Sequence, residues 1–149
     1  MNNDIEKITH NDQTIAIIIR HDFKQDGIAF FTENHYSQQL GYMNRPKGYA
    51  IAPHLHNLHK REVFQTQETL FVRSGKVRVD FYNNEHGYLE SRILSKGDIL
   101  LLVSGGHGFK MLEPTEIIEV KQGPYMEKED KVRFSEIEES KVKIRQVKS

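Results

Sequence analysis

Between Gln67 and Gln122 apolar and polar residues alternate in short blocks, and polar turns interrupt them about every ten residues. Val77, Val79 and Phe81 alternate with Lys76, Arg78 and Asp80. A period of two is that of a strand with one buried face and one wet face. Gln67 to Arg73 and Lys76 to Tyr82 flank Ser74-Gly75, a hairpin signal. Tyr88 to Leu94 is predicted as the next strand, after the turn at Asn83 to Gly87. Ile99 to Val103 is apolar throughout, as expected of a central strand covered on both faces. Strands are also predicted at His107 to Leu112 and Thr115 to Gln122. This cadence is that of an antiparallel sandwich or barrel.

Upstream the pattern is looser. Gln13 to Arg20 is rich in β-branched residues and reads as a strand, as do the shorter Gly27 to Phe31 and Leu40 to Asn44. Arg45-Pro46-Lys47-Gly48 is a turn, and Tyr49 to His56 is predicted to be extended beside the strand carrying Glu68. After Gly123-Pro124, Glu127 to Lys131 is a charge run expected to be solvated. Val132 to Phe134 suits an edge strand, and Ser135 to Ser149 fits a strand, a helix or a frayed tail. No Gly/Ser-rich or Pro-rich linker divides the 149 residues, so one domain is expected over 1–149.

Composition narrows the function. Lysine plus arginine balances aspartate plus glutamate, 21 against 21, so no net charge draws the chain to nucleic acid or to an anionic membrane. The absence of cysteine removes disulfides, thiolate metal sites and thiol nucleophiles, and it suits a cytoplasmic protein. The opening MNNDIEKITHND is polar and does not read as a signal peptide, and the apolar runs are too short to span a bilayer.

The chemistry-bearing stretch is Gly48 to Gly75. His54 and His56 are two residues apart, so on a strand they share a face. If Glu68 lies on the neighbouring strand, two imidazoles and a carboxylate meet, a donor set suited to a divalent transition metal. The alternative is a hydrogen-bonded polar cluster, which a buried carboxylate also requires. His59 lies in a presumed loop, and His10, His21, His35 and His86 flank turns or termini. Tyr42, Tyr49, Gln67 and Phe109 are candidates to line a cavity, whereas Arg73 and Arg78 read first as wet-face residues.

These residues resemble the first motif of the cupins, small jelly-roll β-barrels. Gly48, five residues, His54-x-His56, then Glu68, six residues and Gly75 follow its order, with a longer gap before the carboxylate. Glu62 suits that gap better but is not followed by glycine at the right distance. In the second motif Gly97 opens the pattern and Gly105-Gly106-His107 stands where the histidine belongs, one residue short, while Val103 replaces the proline and Met111 stands at the asparagine position. The resemblance implies an all-β, double-stranded β-helix (jelly-roll) barrel with its core at 48–122, extra N-terminal strands at 13–47 and a tail at 123–149. It implies His54, His56, Glu68 and His107 as ligands of a divalent transition metal (Fe, Mn, Ni, Zn or Cu). The chemistry would be that of an isomerase, epimerase or dioxygenase acting on a small oxygenated substrate. Cupin sugar isomerases and epimerases that use histidines without metal imply a second reading, with His54 or His56 as acid or base. A third is a small-molecule-binding module without turnover. The chain is also similar to small bacterial cupins that accompany polysaccharide and nucleotide-sugar synthesis, and a homodimer is expected.

Overall fold

A computed structural model of the chain describes residues 4–146, and the readings that fall on 1–3 and 147–149 lie outside it. The described residues form ten strands and two short 3-10 turns, with no α-helix. The strands are β1 (Ile5–His10), β2 (Gln13–Ile19), β3 (Gly27–Phe30), β4 (Gly41–Asn44) and β5 (Glu68–Ser74). Then come β6 (Lys76–Tyr82), β7 (Tyr88–Ser95), β8 (Ile99–Leu102), β9 (Gly106–Met111) and β10 (Glu116–Lys121). All pair antiparallel: a five-stranded sheet in the order β1-β2-β8-β5-β10, a three-stranded sheet β7-β6-β9, and the hairpin β3-β4.

Strand parity decides what each sheet face holds. Ala16, Ile18, Leu70, Val72, Leu100 and Leu102 point from the larger sheet into one cluster with Val77, Val79, Phe81 and Leu94 of the smaller. The two sheets therefore pack face to face. β8 is apolar on both faces because it is central: Leu100 and Leu102 face this core, while Leu101 packs in a second cluster with Ile17, Ile19, Phe23, Leu40 and Val103. That second cluster lies on the outer face of the larger sheet, against Phe31 and Tyr42 around the β3-β4 hairpin. The hairpin between β5 and β6 turns at Gly75, whose φ is +80°. A β-carbon there would run into the Pro114 carbonyl and Thr115, so glycine answers both the angle and the close approach.

Three expectations change. First, the polar N-terminus contains a strand, β1. Ile8 is buried in the core, and Glu6 is buried between Arg20 (Nε–Oε1 2.6 Å) and Arg92 (Nε–Oε2 2.7 Å), so a charged residue sits inside because it is doubly paired. Second, Arg78 and Asp80 of β6 are buried. The C-terminal segment lies over that face as a strap. Arg78 binds Asp80 through two bonds (2.8 and 3.0 Å) and Glu139 through a third (2.8 Å), and Lys110 also binds Glu139 (2.6 Å). Further along, Ile144 bridges to Ser91 at the edge of β7, and Lys143 donates its amide to the Tyr88 hydroxyl. The strap is not a strand at Val132 to Phe134. Third, there is no strand between Asn44 and Glu68. Every residue from Met43 to Thr66 is exposed, and Tyr49 to Thr66 forms an irregular arm.

Candidate functional site

Glu68 opens β5 and has the parity of Leu70 and Val72, so its carboxylate points into the space between the sheets. It is buried. On the facing sheet, His107 stands opposite Phe81 in register and shares its inward face. The turn before it uses Gly105 at φ +71°, where a β-carbon would strike the Tyr82 carbonyl. Glycine therefore lets the backbone bend tightly enough to start β9 with an inward histidine. His107 Nε2 lies 3.5 Å from Glu68 Oε2. Two residues nearly forty positions apart are thus joined across the sandwich.

The electrostatics keep the carboxylate ionised. Hydrogen bonding to His107 pulls the Glu68 pKa below its usual value, against the opposing pull of burial. The charges of His107, Lys121 and Lys131 act in the same downward direction. Lys121 is the register partner of Glu68 on β10 and binds Asp130 (Nζ–Oδ2 3.3 Å). Burial works against the Lys121 charge, but Asp130, Glu68 and Glu119 outweigh it and hold its pKa up.

The pair opens onto a cavity of about 540 Å3, bounded by β9, the end of β6 and the strap at 130–136. Phe109 lies beside His107 (ring centroids 5.3 Å apart) and supplies an apolar wall. Tyr82 contributes its ring. Burial raises its pKa, and its hydroxyl accepts the Ile137 amide (3.0 Å). Asp80 also borders the cavity, but its oxygens are taken by Arg78 and the Ser91 hydroxyl, so its role is structural. A carboxylate beside an imidazole is the pairing in which a histidine is oriented to move protons.

The four candidate ligands gather as two pairs. His54 and His56 do lie side by side, with ring centroids 5.4 Å apart, but both are exposed on the arm. Their nearest fixed neighbour is their own backbone: His54 Nδ1 is 3.0 Å from the Ala52 carbonyl. Among the described residues no group of three or more metal-ligating side chains comes together. Within one chain Glu68 and His107 supply one oxygen and one nitrogen, fewer donors than a resident transition metal takes from a protein. His59 is exposed on the same arm. Of the other lining candidates, Phe109 reaches the cavity, Tyr42 packs on Phe23, Tyr49 lies under Arg45, and Gln67 is bound to Ser37 and Gln38. Arg73 stays exposed. Lys121, Tyr82 and the strap are additions to the residues singled out in the sequence. Only the parity of β10, which aligns Lys121 with Ile117, offered a local signal. Comparisons with protein-family models, with curated proteins and with solved structures found no match for this chain.

Proposed function

We propose that the chain is a jelly-roll, cupin-type enzyme that moves a proton beside a carbonyl in a small, oxygen-rich substrate of the keto-sugar class. The single observation that carries this is the Glu68–His107 pair, 3.5 Å apart, facing a cavity of about 540 Å3. A space of that order holds a small molecule. His107 takes the proton from the carbon next to the carbonyl, and the electron pair moves into an enediolate. Returning the proton to the neighbouring carbon, with the hydroxyl proton passing between the two oxygens of the enediol, completes an isomerisation. This needs no external oxidant. Glu68 holds the imidazole and stabilises it when it is charged. Lys121 and Lys131 supply positive charge near developing oxyanions. Two features of the sequence support this reading, the partial match to both cupin motifs and the similarity to cupins near polysaccharide synthesis. A homodimer in the cytoplasm, working on nucleotide-linked sugars, is the setting that fits them.

The test is exchange of solvent deuterium into a panel of keto-sugar nucleotides, followed by NMR. Incorporation that disappears in His107→Ala supports the proposal. Tight binding of a panel member without exchange turns it into a binding module, and neither binding nor exchange across the panel overturns it. The metal reading has its own check, since transition metal retained by purified protein and lost in Glu68→Gln restores it.

A further inference from the structure

The arm carries side chains that water does not favour. Leu58 is 100% exposed, Phe64 92% and Leu55 83%. Single exposed leucines are ordinary, but a run of them on one irregular segment marks an interaction surface. The body has matching vacancies in its strand order. β9 pairs with β6 on one side and with no strand on the other, and β10 likewise ends the larger sheet. The β9 edge borders the Glu68–His107 cavity, which residues 106–110 of that strand line. The residues beside the two edges are apolar and exposed: Phe109, Met111 and Leu112 at β9, and Ile118 and Val120 at β10, with Phe71 next to them on β5. An unpaired edge beside an apolar row is a template for an added strand.

We propose that the arm of a second copy of this chain docks along the free edge of β9, so that His54 and His56 of one copy enter the cavity holding Glu68 and His107 of the other. This rests on the reading of Glu68–His107 as the functional site. The alternating positions of an added strand would send His54 and His56 to one face and Leu55 to the other. With the histidines turned inward, they join the only cavity-facing imidazole–carboxylate pair among the described residues. The exchange is reciprocal, because each copy has one arm and one free β9 edge, and it closes as a two-fold dimer. A second copy is favoured over the chain's own arm because the stretch that carries the histidines is not docked on its own body: every residue from Ile51 to Arg61 is exposed, no strand forms there, and only the end of the arm, Glu62 to Gln65, borders the body near Tyr36 and Val103. Each site then contains three imidazoles and one carboxylate drawn from two chains.

The experiment needs no substrate. Leu55, between the two histidines, is replaced by a benzophenone photo-cross-linking residue in full-length protein. Unlabelled and 15N-labelled copies are mixed by co-refolding, irradiated and digested. The expected product joins the peptide around position 55 to residues 106–112, or to the adjacent strap at 130–136, in pairs of mixed isotope label, and light scattering gives a dimer mass. Cross-links to those residues only between equally labelled peptides show the arm folding onto its own body and overturn the exchange. A monomer mass, or cross-links that avoid both regions, overturns the docking altogether. A chain that cross-links as expected but fails every exchange assay keeps the composite site and loses the proposed reaction.

Discussion

Two long irregular segments leave the sheets of this protein, and they behave in opposite ways. The strap after β10 lies flat on the three-stranded sheet, whereas the arm between β4 and β5 is exposed throughout and borders the body only at its end, near Tyr36 and Val103. Both are charged and neither forms a strand. The difference lies in what each is offered. The strap meets a buried guanidinium, Arg78, with bonding capacity left after Asp80, and Glu139 uses it. It also meets aromatic surfaces: Phe134 stacks on His86 (4.3 Å, 4° between planes) and packs edge-on to Tyr82 (5.0 Å). The arm has only local partners, such as Lys60–Glu62 (3.0 Å) and the His54–Ala52 contact. The strap docks where the body presents unsatisfied buried polarity, and the histidine-bearing part of the arm meets no such surface.

The strongest way to break this contrast is to remove the anchor. Arg78→Ala strips both Asp80 and Glu139 of their cation and leaves Asp80 buried without its main partner. Loss of one member of a buried pair costs about 3–5 kcal/mol. Thermal unfolding should show a large fall in melting temperature, and proteolysis should then cut the strap as readily as the arm. A melting temperature unchanged by this substitution would show that the strap is held by its aromatic contacts. Next, His107→Ala should lower proton exchange by about 10²–10⁴-fold, the range for a positioned base, while melting stays close to wild type. A matching loss of stability would make the histidine a structural residue.

On the arm, Leu58→Ser should leave the melting of the body nearly unchanged and weaken self-association. Covering such a side chain is worth about 1.5–3 kcal/mol, so the dimer dissociation constant should rise by about tenfold or more in sedimentation experiments. A constant that does not move would mean Leu58 stays wet in the assembled protein. The smallest effect concerns acid. Glu139 has its pKa lowered from 4.5 to about 2 by its hydrogen bonds to Arg78 and Lys110. A lowered carboxylate stabilises the docked strap fully above its ordinary pKa and loses that contribution as pH falls through about 2. Hydrogen exchange at the Ile137 and Lys143 amides should therefore stay slow at pH 4 and accelerate only toward pH 2. Acceleration at pH 5 would assign the docking to other groups.

Much of this architecture is legible in the residues. The hairpin through Gly75 and the all-apolar β8 follow from alternation and turn chemistry, which are local. The wet face expected for β6 was not wet, because its cover comes from Glu139, some sixty residues later, and no period in β6 encodes that. β1 was missed because Glu6 and Lys7 mask it, and Glu6 is buried only through Arg20 and Arg92. For the site, the spacing singled out Glu68 and His107, and these two do meet. It placed His54 and His56 with them on the assumption that Tyr49 to His56 pairs within the chain. Strand pairing depends on which edge is free, and sequence patterns do not report that.

The position of β8 has a consequence for synthesis. This strand sits between β2 and β5, and the larger sheet has no middle until it arrives. β1 and β2 leave the ribosome early with Ile15, Ile17 and Ile18 uncovered, and they stay so until Leu100 to Leu102 emerge. Closure between such distant segments is slow, so the nascent N-terminal hairpin is the stage at which this protein depends most on chaperones.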